Sequence, residues 1–469
     1  MKSWTALPAP AVFLMFVLTA APSTAQAQRD GYANPPAPAA RGVSGPAVLQ
    51  PNPRAQATPD THTLSGGELL SVGSLEQSRT VFNPSFYVSE TGQTGTATAG
   101  GSSGLTSLTL LGGALNVDRT WSNSHLVTTY SGGATIQPGT GFGNDSFHDF
   151  AISEEITWDR WRLRLRDDLL FSPGASFGGS GMGGPGLLGQ FASANSSLSE
   201  IGSTFVLGQT IYTGRVNRLR NTALAGAEYA FSRRAVMTFT GSYGVLHFLD
   251  PGFIDSQNIT GQVGFDYQLD PRNSVALIGG FGRTDYRGSP FVTDNYLTQF
   301  AYGRKITGRL AFQIAAGPTL IRLRNTGVGN VQQWVLGLNS ALSYEQRRGG
   351  YSFSYTHGFS GGSGVFLGGT AHVVGANMHR RLTRFWTANL NTGYAWNTTL
   401  DGSGTTPFVI QAWYGGANLG HQLGRHMYVA FNYGAQRQSG AAACPLLSCG
   451  GSGLQQNFGV MLRWHLRGE

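Results

Sequence analysis

A closed, antiparallel, up-and-down β-barrel of about 16–18 strands that crosses a membrane is the all-β fold this sequence predicts. Three features predict it. Only 12% of the 469 residues are charged, against 40% hydrophobic and 11% aromatic, with 68 glycines. A soluble domain carries about 25% charged residues, and a mean hydropathy of −0.13 is too low for a bundle of membrane helices. From about Thr80 onward, apolar and polar residues alternate with a period of two, which gives a strand one face for lipid and one for water. Short charged turns then alternate with longer Gly/Ser/Thr-rich loops, the asymmetry of bacterial outer-membrane barrels.

The chain opens with Met1-Lys2, an apolar run from Ala11 to Ala21 (AVFLMFVLTAA) and the small-x-small site Ala25-Gln26-Ala27. This is the layout of a secretory signal peptide over 1–27. The apolar run is shorter than the about 20 residues needed to span a bilayer. No cysteine follows the site, so no lipid anchor is indicated. Residues 28–79 begin with a Pro/Ala-rich stretch, expected to be a disordered periplasmic tail or linker. Residues 80–469 form the expected barrel.

Within the barrel, Gln257 to Leu269 sets Ile259, Val263, Phe265, Tyr267 and Leu269 against Asn258, Thr260, Gln262, Asp266 and Gln268. Trp386 to Trp396 repeats the pattern. In the last strand Phe458, Val460, Leu462 and Trp464 oppose Asn457, Arg463 and His465. Short turns are expected at Asp159-Arg160, Ser232–Arg234, Asp270–Asn273, Lys305–Gly308, Arg347–Gly350, Leu382–Arg384 and Gly424-Arg425. From the second on, they recur at the spacing of two ~10-residue strands plus one loop and one turn. Strand order favours about 18 strands, with a first strand near Arg79–Glu90, and barrels of this size leave an aqueous channel.

The signal peptide, the alternating strands and the aromatic-rich final strand (FGVMLRWHL, Phe458 to Leu466) together resemble a bacterial outer-membrane porin-like β-barrel. Arg220 to Arg234 (RNTALAGAEYAFSRR) is also similar to repeat hairpins of a β-barrel porin family, some members of which are linked to exopolysaccharide systems. The resemblance implies the outer membrane, its lipid and its assembly machinery as surroundings. It implies small hydrophilic solutes, or a polysaccharide, as cargo. Arg467-Gly468-Glu469 depart from the pattern, because such barrels end on an aromatic residue. The oligomeric state is not legible.

The segment Phe147 to Phe171 (FHDFAISEEITWDRWRLRLRDDLLF) carries the candidate pore lining. A two-residue turn at Asp159-Arg160 pairs Trp158 with Trp161, which sets Thr157 opposite Arg162, Glu155 opposite Arg164 and Ser153 opposite Arg166. Three arginines, Arg162, Arg164 and Arg166, then stand in a row on the inward face, with Glu155 beside the middle one. Such a row attracts anions where low-dielectric walls focus the field. The alternative is that the arginines only neutralise Glu155, Asp167, Asp168 and loop carboxylates. Glu154 breaks the pattern and is expected at a bulge or a membrane edge. Arg322 and Arg324 share the parity of Leu310, Phe312 and Ile314, and are expected in an external loop. Ser172 to Leu219 is long enough either to fold into the barrel or to remain a surface loop.

Other patterns carry little. Gly181 to Gly186 fits G-x-G-x-x-G without a strand–helix context, and Gly358 to Gly362 fits G-x-S-x-G without a following helix. The histidines show no metal-ligand spacing, so no metal, cofactor or enzymatic activity is expected. Basic residues are scattered, which speaks against nucleic acid despite a net charge of +8. Cys444 and Cys449 are expected to form a disulfide, since an exported chain passes through an oxidising compartment. The function these residues support is passive passage of small hydrophilic solutes, with a preference for anions if the arginine row dominates. The alternatives are a polysaccharide-export barrel and a non-conducting structural or adhesion barrel.

Overall fold

The computed structural model describes residues 79–94, 105–137, 145–172, 216–325, 329–361, 368–400, 409–439 and 454–466. The first strands are β1 (Arg79–Thr94), β2 (Thr106–Thr120), β3 (Ser124–Ile136), β4 (Asp145–Trp158), β5 (Trp161–Ser172) and β6 (Arg218–Ala230). Next come β7 (Ala235–Phe248), β8 (Ser256–Asp270), β9 (Asn273–Tyr286), β10 (Phe291–Lys305), β11 (Leu310–Asn325) and β12 (Gly329–Gln346). The last six are β13 (Gly349–Ser360), β14 (Gly369–Arg381), β15 (Trp386–Thr399), β16 (Val409–Leu423), β17 (Met427–Ser439) and β18 (Leu454–His465). Every strand pairs antiparallel with its sequence neighbours in an 18-stranded sheet. The sheet closes where β1 meets β18, from Ser85 opposite His465 to Thr94 opposite Gln456. Closure leaves no unpaired edge, which lets backbone N–H and C=O groups be satisfied inside a bilayer.

Alternation decides which side chain faces where. On β8 the odd residues Ile259, Val263, Phe265, Tyr267 and Leu269 are exposed on the outside, while Gln262 and Asp266 are buried on the inside. On β18, Phe458, Val460, Leu462 and Trp464 point out, and Arg463 is buried within. A closed belt of exposed apolar side chains has no place in water, and it matches the lipid-facing band of a membrane barrel. Aromatic side chains gather near the short turns. Trp158 pairs with Trp161, whose ring packs on Tyr229 at 4.7 Å, and Tyr229 packs on Phe231 at 4.7 Å.

The short turns lie at one end, and four of them share a local cause. Ser232 Oγ accepts from the N–H groups of Arg234 and Ala235. Asp270 Oδ1 does the same for Arg272 and Asn273. Thr307 Oγ1 serves Arg309 and Leu310, and Thr383 Oγ1 serves Phe385 and Trp386. In these four turns a short polar side chain thus folds back on the second and third N–H groups after it. At the β4–β5 turn Asp159 has φ of 38°, the left-handed conformation that Asp tolerates in two-residue hairpins.

Two expectations need correction or refinement. Arg322 and Arg324 have the predicted outward parity, but they lie inside β11, not in a loop. Glu154 causes no bulge, because the β4–β5 register runs unbroken from His148 to Trp158. It faces outward near the short-turn end, where its carboxylate accepts a 3.0 Å hydrogen bond from Ser124 Oγ.

Candidate functional site

The inward face of β4, β5 and β6 carries the densest set of charges near the predicted row. The register places Thr157 opposite Arg162, Glu155 opposite Arg164 and Ser153 opposite Arg166. On the other flank β6 brings Glu228 directly opposite Arg162. Arg164 Nε lies 2.9 Å from Glu155 Oε2, and its Nη1 lies 3.2 Å from Glu228 Oε1. Arg162 stands 3.5 Å from Glu155 and 3.6 Å from Glu228. Arg166 takes Asp168 through two nitrogens, at 2.6 and 2.8 Å. Both carboxylates of the first group therefore bridge two arginines each, which holds the guanidinium planes against the wall.

Among the described residues the ion pairs of this ladder balance, and Asp149 and Arg220 beside it add one charge of each sign. Arg162, Arg164 and Arg166 contribute +3, and Glu155, Glu228 and Asp168 contribute −3. Arg162 and Arg164 are also buried, at 8% and 4% exposure. The field of a naked arginine row is thereby reduced to that of paired dipoles, which falls off quickly in water. Asp167, offered by the sequence as a possible counter-charge, instead faces outward and accepts a 2.7 Å hydrogen bond from Asn221 Nδ2.

The wall formed by β15, β16 and β17 is uncharged at mid-strand. Asn389, Asn418 and Asn432 stand side by side on the inward face, joined by a 3.4 Å hydrogen bond from Asn389 to Asn418 and a further one from Asn418 to Asn432. Across β1 to β4 an apolar cluster interrupts an inward face that is otherwise polar, with Asn83, Ser85, Ser89 and Thr91 buried on β1. Tyr87 and Phe147 meet at 6.4 Å with Leu108, Leu110 and Met461 around them. Tyr87 lies over Gly112 on the next strand, where any Cβ would strike its ring. The Arg463 guanidinium stands 6.0 Å from the Tyr87 ring.

At the long-loop end β13 packs against strands that are not its sheet neighbours. The β12–β13 pairing stops at Leu338 opposite His357, while β13 and β14 stay paired to Ser360 and Gly369. Beyond that point the β13–β14 hairpin leans inward. Phe359 packs with Ile321, Leu400 and Val335, and Gly368 lies against the Tyr286 hydroxyl on β9. Gly368 has φ of 93°, a conformation that requires glycine at this contact. Part of the G-x-S-x-G pattern, Gly358 to Gly361, falls at this strand end, and Gly362 lies outside the described residues.

The expected Cys444–Cys449 disulfide, the long segment 173–215, the expected signal peptide and tail, and the last three residues lie outside the described residues. Among the described residues no three His, Cys, Asp or Glu side chains gather as a metal site.

No family model matches the chain, and no curated protein matches it. Among solved structures it aligns with the outer membrane protein OpdK of Pseudomonas aeruginosa at a TM-score of 0.41 and 9% identity, over 84% of this chain and 100% of that one. OccK2 (OpdF) of the same organism aligns at 0.42 and 9%, over 82% and 97%. A BenF-like porin from Pseudomonas fluorescens Pf-5 aligns at 0.42 and 6%, over 84% and 100%.

Proposed function

We propose that the chain is a passive channel of the bacterial outer membrane for small hydrophilic solutes. One observation carries the reading: eighteen strands close into a barrel whose outer face is apolar and whose inner face holds the charged and amide side chains. A closed sheet of this size encloses more room than its own side chains fill. The inner face offers paired charges on β4–β6 and amides on β15–β17. That mixture suits neutral and zwitterionic solutes, and the cancelled ladder gives little reason for a strong preference for anions. Liposomes carrying the refolded barrel should swell in isotonic monosaccharide or amino-acid solution, at rates that fall with solute size. Rates equal to those of empty liposomes would reject the channel.

A further inference from the structure

The outward face of β9, β10 and β11 departs from the lipid-facing pattern at the long-loop end. Phe281, Tyr296, Leu320 and Trp334 form one lateral row across β9 to β12. Two residues further toward the loops the next outward row reads Arg283, Asp294, Arg322 and Gln332. The row after that contains Asp285 and Arg324, and Arg287 of the following turn stands against Gln257. Four arginines therefore cluster beside an aromatic band. Among the described residues the other outward arginine at this end, Arg437 on β17, stands apart from them.

Internal neutralisation accounts for only half of this charge. Arg283 Nε lies 3.3 Å from Asp285, and Arg324 pairs with the fully buried carboxylate of Asp294. Arg322 has a ring as its neighbour, with its guanidinium 5.5 Å from the centre of Tyr296. Asp255, opposite Arg287, has its carboxylate engaged by His247 and the Phe248 N–H, so the two carboxylates that meet the four arginines leave a formal +2. An arginine on a lipid-facing strand costs about 2–4 kcal/mol at the bilayer midplane and about 0–1 near the interface. The aromatic row marks that interface, so the arginines sit at headgroup level. Neighbouring strands are about 4.8 Å apart, so Arg283 and Arg322 flank a strip about 10 Å wide. Guanidinium groups at that spacing can take one phosphate from two sides.

We infer that this patch on β9–β11 binds the phosphorylated headgroup of an outer-leaflet glycolipid. The inference rests on the outer-membrane reading, since it takes the long-loop end as the outer surface. Native mass spectrometry of the folded barrel, incubated with bis-phosphorylated lipid A in detergent, tests it. The native protein should retain this lipid and should lose the same lipid after enzymatic removal of its phosphates. The triple variant R283Q/R322Q/R324Q should retain the phosphorylated form about a hundredfold less, since each of the three arginines near a charged lipid surface is worth about 1 kcal/mol. The variant R437Q should match the native protein. Equal retention by the triple variant, or of the dephosphorylated lipid, would overturn the proposal. So would displacement by millimolar inorganic phosphate, which would mark a site for the free anion. Channel activity in a planar bilayer, read on the same preparation, separates the two claims: conducting protein without phosphate-dependent binding overturns this inference alone.

Discussion

Arg164 and Glu228, which belong to neighbouring strands but lie 64 residues apart in sequence, meet at 3.2 Å on the inward wall. Glu228 also faces Arg162, so one carboxylate holds two guanidinium groups. The arginine row is thus part of a compensated lattice, and each partner can be removed to unmask the other.

Glu228→Gln should take one carboxylate from Arg162 and Arg164, and make the ladder more positive by one charge. Reversal potentials in a KCl gradient should shift toward chloride. The exchange should also lower stability by about 2 kcal/mol, the loss of hydrogen bonds to charged groups, read from the urea midpoint of heat-modifiable migration. An unchanged reversal potential would place the ladder away from the ion path.

The complementary exchange, R162Q/R164Q/R166Q, leaves Glu155, Glu228 and Asp168 and a formal −3. Selectivity should move toward potassium, opposite in sign to the first variant. Equal shifts of the same sign would show that both variants act by disturbing the fold.

How much of this was legible can be seen at the same two residues. The Arg164–Glu155 neighbour follows from a two-residue turn and a period of two, because short hairpins fix register locally. Glu228 had no such signal, since the long segment 173–215 separates β5 from β6 and hides which residues face each other. Arg322 and Arg324 show a different failure. Their parity was readable, but around them the polarity inverts: Ile321 and Leu323 are buried inside while the arginines point out. Ile321 is apolar because Phe359 of the inward-leaning β13–β14 hairpin packs on it, a contact between strands that are not sheet neighbours. The turns were better marked than their composition suggests. Ser232, Asp270, Thr307 and Thr383 each cap the second and third N–H groups after them, a repeated local motif that sequence can display without tertiary context.

Phe359, near the end of β13, packs on Ile321 of the inner wall, and Phe359→Ala should release this strand end. A larger or noisier unit conductance is expected, with the global unfolding midpoint little changed because the barrel strands keep their pairing. A conductance identical to the native value would mean that this strand end lies outside the narrowest part.

Gly112 and Gly261 make a matched pair for packing. A Cβ on Gly112 would meet the Tyr87 ring and the Gly132 carbonyl, whereas one on Gly261 meets nothing within 4 Å. Gly112→Ala should cost about 1–3 kcal/mol through overpacking, and Gly261→Ala should be neutral or slightly stabilising. Equal unfolding midpoints for the two variants would contradict the Tyr87–Gly112 contact.

The most direct test of the account is single-channel recording of the refolded barrel in a planar bilayer under a KCl gradient. Discrete steps are expected with a weak native preference, because the ladder is neutral, and with opposite shifts for E228Q and R162Q/R164Q/R166Q. Silence from verified folded protein, or strong native anion selectivity that survives loss of all three arginines, would contradict it.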